Sequence, residues 1–349
     1  MRRIHLERVV DTISRLSMII GLGLFLALTG CSPTSHAPAA EISETVRSST
    51  GFVREDLRFS CGEATCAGWL YTPQGANQPP VVVMANGFSG TRDVGMPFFA
   101  ETFARSGFAA FAFDYRYFGA SGGSPRQLLN PWDQLDDWRA ALSFVRTLNQ
   151  VDSERLAIWG TSMGGGHVIV VGAEDPNVLA IIAQVPAVDS DVDSESLEIS
   201  VSWFLLLILL AWADLIQSMF SDSAMLIPAF AGNGEFGMLV DEQSYQDFQP
   251  LITEEATTYQ NAIAARSMTT FDDYNPANAW DNIRVPTLVL ASKEDRLAPF
   301  QAVEAFSTAN SNVRLETFEG GHFDIYLPPV SDWAVEREVS FLASVLKLP

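Results

Sequence analysis

The stretch Ile158-Trp159-Gly160-Thr161-Ser162-Met163-Gly164-Gly165-Gly166 decides the fold. It reads Gly-x-Ser-x-Gly, with Ser162 at its centre. A β-like run, Arg155 to Trp159, leads in, and a helix-compatible run, His167 to Ala173, leads out. Between a strand and a helix this pattern sets a serine on a tight, strained turn that pushes its hydroxyl clear of the backbone. Gly160 and Gly164 let strand and helix approach closely. The Met163 N–H, at the start of the helix, is then aimed at any oxyanion formed beside the serine. A glycine-rich turn with an incidental serine has the same five letters, so the reading depends on partners elsewhere.

A serine is a poor nucleophile near neutral pH unless a base takes its proton, and the base needs an acid to hold its tautomer. The chain has four histidines. His5 and His36 fall in the leader and the segment after it, and His167 sits within the helix that follows Ser162. His322 alone lies in a glycine-flanked loop, Gly320-Gly321-His322-Phe323-Asp324, after the strand-like run Val313 to Phe318. It is the expected base. Asp295, just past the apolar run Val285 to Ala291, is the expected acid; Glu294 and Asp324 are its rivals. The order Ser162, Asp295, His322 is the order found where Gly-x-Ser-x-Gly sits on an α/β sheet.

Further elements complete an alternation of strands and helices. Pro80 to Ala85 is a short apolar run suited to a buried parallel strand, and it ends in Asn86-Gly87-Phe88-Ser89-Gly90. The Phe88 N–H is the candidate second oxyanion donor. Phe98 to Ser106 reads as a helix and Phe108 to Phe113 as a strand. Asp133 to Leu148 has one apolar face at helical spacing, and Leu179 to Val185 reads as a strand. Asp114 and Arg116 read as an ion pair bracing the loop beside the site. Val335 to Leu346 reads as a closing helix. Such alternation favours a mainly parallel sheet covered on both faces, with functional groups at the strands' carboxyl ends.

From about residue 52 onward the chain resembles the α/β-hydrolase superfamily. The matching pieces are Asn86-Gly87-Phe88, Asp114 to Gly119, Gly160 to Gly164, Asp295 and Gly321 to Asp324. It is most similar to the dienelactone-hydrolase-like and Xaa-Pro-peptidase-like branch, but carries serine rather than cysteine as nucleophile and lacks the extra β-domain of full-length Xaa-Pro dipeptidases. The resemblance implies ester, thioester or amide hydrolysis with no metal and no cofactor. A serine esterase acting on a small molecule through Ser162, His322 and Asp295 is the leading expectation. A peptidase or amidase, and a non-catalytic binding protein on the same fold, are the alternatives.

The first thirty residues read as a targeting segment. Arg2, Arg3, Arg8 and Arg15 precede the apolar run Met18 to Leu28, which is too short for a membrane span. Leu28-Thr29-Gly30-Cys31 resembles a bacterial lipobox, which implies cleavage before Cys31, lipid on that residue, and a domain held at the cell envelope outside the cytoplasm. Residues 31–50, rich in Ser, Thr, Pro and Ala, read as a flexible tether, and residues 51–349 as the hydrolase domain. Outside the cytoplasm, Cys61 and Cys66 read as a disulfide across a hairpin turn. They are too few for a four-ligand metal site. With 21 basic and 42 acidic residues and a net charge of −21, the chain is no partner for nucleic acid.

Alternation breaks over about residues 190–275, which read as an inserted helical cap. Its core is Val201 to Ala213, almost wholly apolar. Three roles are open to that helix: lining an acyl or aromatic pocket, forming the core of the insertion, or touching a membrane surface.

Overall fold

Strand β6 (Asp152–Thr161) delivers the Gly-x-Ser-x-Gly turn, and helix α3 (Met163–Glu174) begins immediately after Ser162. In the computed structural model, which describes residues 44–47, 51–192 and 201–347, β6 lies near the middle of a nine-stranded sheet. The other strands are β1 (Glu44–Arg47), β2 (Phe52–Cys61), β3 (Ala64–Pro73), β4 (Pro80–Ala85), β5 (Ala109–Phe113), β7 (Ala180–Gln184), β12 (Thr287–Ser292) and β13 (Val313–Phe318). Their order is β1-β2-β3-β5-β4-β6-β7-β12-β13. The six strands from β5 to β13 are mutually parallel, and β1, β2 and β3 pair antiparallel at one edge.

Helices α1 (Met96–Arg105), α2 (Pro131–Val145), α3, α6 (Phe300–Ala309) and α7 (Val330–Leu346) pack against this sheet. Strands β4, β5, β7 and β12 are buried at every position, as expected of strands covered on both faces. Their Val, Ile, Ala and Leu side chains join a continuous core with Phe99, Phe103, Phe111, Trp138 and Trp159. The strand order reverses at β4: β5 lies on one side of it and β6 on the other. Loops leaving the carboxyl ends of β4 and β6 therefore diverge and leave a crevice, the usual site position in open parallel sheets.

Three expectations are corrected. The stretch read as a tether, residues 31–50, contains β1, whose four residues pair with Val53 to Asp56. The edge of β2 offers unpaired amides and carbonyls, and Thr45 and Val46 suit an added strand. The leader, Cys31 and the rest of that stretch lie outside the described residues. The cap is mixed rather than helical. Besides α4 (Val201–Gln217) and α5 (Glu242–Phe248) it holds the two-residue strands β8 (Leu226–Ile227), β9 (Phe230–Ala231), β10 (Leu239–Val240) and β11 (Ile263–Ala264). Pro228, Gly232, Gly234 and Gly237 interrupt the chain too often for a second long helix. Finally, Asp114 and Arg116 do not pair with each other. Asp114 accepts from Arg92, at 2.9 Å from Nη1 and 2.7 Å from the backbone N–H, and Arg116 Nε donates to Asp137 at 2.7 Å. Both sit in the irregular turn that follows β5, and each is held there by a buried partner from another segment.

Candidate active site

Ser162 has φ 55° and ψ −125°, a conformation that a residue with a side chain adopts only when its surroundings impose it. Here they do. The Ser162 N–H donates to Gln184 O at 2.9 Å, and Ser162 O accepts from the N–H groups of Gly165 (2.9 Å), Gly166 (3.3 Å) and Ala187 (3.0 Å). The turn also needs space that only glycine leaves. A Cβ on Gly160 would stand 2.1 Å from Gly164 O, and one on Gly164 would stand 2.3 Å from Asn86 O.

The loop after β4 lies directly against this turn. A Cβ on Gly87 would stand 2.7 Å from Ser162 Cβ and 3.2 Å from the Met163 nitrogen. Asn86 shapes the loop from within: its Nδ2 donates to Thr91 O and Val94 O at 2.9 and 2.8 Å, and its Oδ1 accepts from the Gly87 N–H at 2.8 Å. The Gly87 amide is thereby spent, and the next one along is that of Phe88. Met163 is the first residue of α3, so its N–H points out of the helix with no carbonyl behind it to bond. The two candidate oxyanion donors thus come from adjoining loops.

His322 follows β13 and Asp295 follows β12. His322 Nδ1 and Asp295 Oδ2 are 2.7 Å apart, with both side chains 1% exposed. The other oxygen of Asp295 accepts from the N–H groups of Leu297 (2.9 Å) and Ala298 (2.8 Å), so the carboxylate is fixed in place. Its rivals have other positions. Glu294 is exposed, and Asp324 Oδ2 accepts from the Gly321 N–H at 2.7 Å, bracing the loop that carries His322. A hydrogen bond between Thr161 Oγ1 and Tyr326 OH ties the residue before Ser162 to the turn just after His322. His167 is a structural residue. It is fully buried, with Nε2 2.9 Å from Gln134 Oε1 and Nδ1 2.7 Å from Tyr274 OH, and burial pushes its pKa down to about 3. Cys61 and Cys66 are bonded to each other across the β2–β3 turn, remote in sequence from these loops.

This architecture and site have counterparts. The family model for the alpha/beta hydrolase fold matches residues 80–329. The chain belongs to the alpha/beta hydrolase fold family. A quorum-quenching protein, AidA of Acinetobacter baumannii, is 33% identical over 291 residues, covering 83% of this chain and 95% of that protein. The thiohydrolase aneE of Aspergillus aculeatus is 26% identical over 291 residues, covering 80% and 89%. Among solved structures, the alpha/beta hydrolase GrgF from Penicillium sp. sh18 superposes with a TM-score of 0.72 at 22% identity, covering 84% of this chain and 99% of that one, which is a likeness of fold.

Within the family frame, the insertion supplies what the sequence reading missed. Phe230 packs edge-on against Phe88 at 5.7 Å between ring centroids and against Phe323 at 5.9 Å. Phe248 stacks near Phe230 (4.8 Å) and Phe323 (5.0 Å). Phe88 is the candidate oxyanion residue and Phe323 follows His322, so Phe230 bridges the two loops and Phe248 backs it. Polar ties hold the cap there. Asp93 Oδ2 accepts from the N–H and hydroxyl of Thr258 at 2.8 and 2.9 Å, and Arg296 pairs with Asp241 at 2.9 Å. Isolated phenylalanines in an irregular stretch carry no periodic signal, which is why the sequence did not single them out.

Proposed function

We propose that this alpha/beta hydrolase is a serine hydrolase that cleaves carboxylic esters, with Ser162 as nucleophile, His322 as base and Asp295 as the acid that orients it. The observation that carries the reading is the buried 2.7 Å contact between His322 Nδ1 and Asp295 Oδ2, set two strands along the sheet from a serine held at φ 55°. With Nδ1 engaged by Asp295, Nε2 is the nitrogen that takes the Ser162 proton. Ser162 Oγ attacks the acyl carbonyl, and the N–H groups of Met163 and Phe88 stabilise the negative oxygen of the tetrahedral intermediate. His322 then protonates the departing alcohol, leaving an acyl-serine. Water, deprotonated by His322, attacks that acyl group, and Ser162 recovers its proton. Asp295 holds the ring in place and stabilises the imidazolium. The bridging phenylalanines favour an apolar group on the substrate.

A thioester is the second reading, supported by relatives named thiohydrolases. The same steps apply, except that a thiolate departs with little need of a proton. The lipobox reading adds that the domain is lipid-anchored through Cys31, outside the cytoplasm. A fluorophosphonate probe tests the centre of the proposal: it should label the wild-type protein and fail to label Ser162→Ala. Folded wild-type protein that takes no label would leave a binding protein as the better reading. Paired oxygen and sulfur esters of one acyl group then rank the two substrate classes.

A further inference from the structure

Helix α4 is apolar on both sides, yet only one side is used. Leu207, Ala211 and Asp214, spaced by four and three residues, form its buried stripe. Asp214 accepts from the N–H groups of Met225 (2.7 Å) and Arg266 (3.0 Å), which fixes this stripe against the domain. The opposite stripe, Leu205, Leu209 and Ile216, faces outward, and Met219, Phe220 and Leu226 extend it past the helix end. Leu209 is 66% exposed, Met219 69% and Phe220 83%. An apolar surface of this continuity is unusual on a protein that meets only water. The helix thus serves the core with the side that carries Leu207 and leaves this other side unused.

We propose that this face docks on the lipid bilayer to which the chain is tethered, with α4 lying flat in the interface. The proposal rests on the reading of Cys31 as a lipidated residue. Two features select lipid as the occupant. First, the fourteen residues from Cys31 to Glu44 span at most about 45 Å when fully extended, comparable with the width of a domain of this size. A body held that close to a bilayer meets it repeatedly, and this apolar face is a part that gains by contact. Second, no lysine or arginine occurs from residue 156 to 265, and the chain as a whole carries a net charge of −21. Attachment here is therefore by burial of apolar side chains, without the basic residues that clamp anionic headgroups. Among the described residues no helix is long and apolar enough to cross a membrane, in keeping with a helix that lies on one.

The test uses the full chain, purified from membranes and reconstituted into phosphatidylcholine vesicles. A cysteine introduced by Leu209→Cys or Phe220→Cys carries an environment-sensitive fluorophore, and Gln301→Cys on exposed α6 serves as the control. The expected result is blue-shifted emission at 209 and 220, quenched several-fold by brominated lipid, with water-like emission at 301. The shift should resist salt and weaken when phosphatidylglycerol is added. Water-like emission at 209 and 220 in vesicle-bound protein would overturn the proposal. So would a blue shift in lipid-free protein that grows with concentration, which would assign the face to a second copy of the chain. Parent protein that labels at Cys31 shows that the lipidation reading has failed; the labelled variants, mixed with vesicles, then still report whether the face enters lipid on its own.

Discussion

The sheet and the insertion above it obey different constraints. In the sheet, β4, β5, β7 and β12 are buried from end to end, and Ser162, Asp295 and His322 follow the carboxyl ends of β6, β12 and β13. Among the described residues of the insertion no strand exceeds two residues, and helix α4 leaves one apolar face exposed. The sheet sets Asp295 against His322 at 2.7 Å, two strands along from the Ser162 turn. The insertion contributes rings and ties to the rim of the same site, from a scaffold with far less internal bonding. Bond-making and substrate choice should therefore fail separately under mutation.

The largest effects belong to the sheet. Ser162→Ala and His322→Ala should each lower kcat by at least about a thousandfold on a p-nitrophenyl ester, with the melting temperature of Ser162→Ala little changed. Asp295→Asn should cost about 10³ to 10⁴, because an amide no longer holds the needed tautomer or stabilises the cation. Glu294→Gln, on an exposed side chain, should stay within a few-fold of wild type. Loss of activity in Glu294→Gln with retention in Asp295→Asn would exchange their assignments.

Smaller effects belong to the insertion. Phe230→Ala and Phe248→Ala remove rings that touch Phe88 and Phe323, and should lower kcat/KM by about 10- to 100-fold through misplaced loops. They should also destabilise by about 3 kcal/mol each as cavity-forming changes. Fluorophosphonate labelling of Ser162 should persist, since the relay itself is intact. Equal loss of labelling and turnover would mean that the two regions are not separable in this way.

What the sequence made legible follows the same division. A parallel strand has to be apolar along its length, and a nucleophile turn has to carry glycines at fixed offsets, so β4 to β7 and the Ser162 turn could be read directly. The pairing of His322 with Asp295 was legible because few histidines compete for a place in such a loop. The partners of Asp114 and Arg116 were not legible, because they come from Arg92 and Asp137, about twenty residues away across a buried layer. Phe230 and Phe248 sit among prolines and glycines with no period to mark them. Glu338 was hidden by its type: an acid in a closing amphipathic helix reads as part of the solvated face. Instead it is fully buried, with Oε1 accepting from Trp159 Nε1 at 3.0 Å and Gln184 Nε2 at 2.8 Å.

Glu338 and His167 sharpen the comparison at its quietest point, where no change in the chemistry is expected. Both are buried in the layers that cover the sheet, and burial drives both toward the neutral form. It raises Glu338 from 4.5 to about 8 and lowers His167 from 6.5 to about 3. Their effects on stability have opposite signs. Between pH 4.5 and about 8 the folded protein keeps the Glu338 proton that the unfolded chain releases, so stability falls as pH rises. Between pH 6.5 and about 3 the unfolded chain binds a proton at His167 that the folded protein refuses, so stability falls as pH drops. Each slope is about 1.4 kcal/mol per pH unit. From pH 4.5 to 6.5 the two cancel; above 6.5 only the Glu338 slope remains. Urea unfolding across this range should show Glu338→Gln gaining on wild type steadily up to about pH 8, and His167→Gln losing its acid-side slope. Neither change should move the pH–rate profile. Stability curves that run parallel to wild type would mean that these groups are solvated in the folded protein, and that the layer beneath the nucleophile is less sealed than its packing implies.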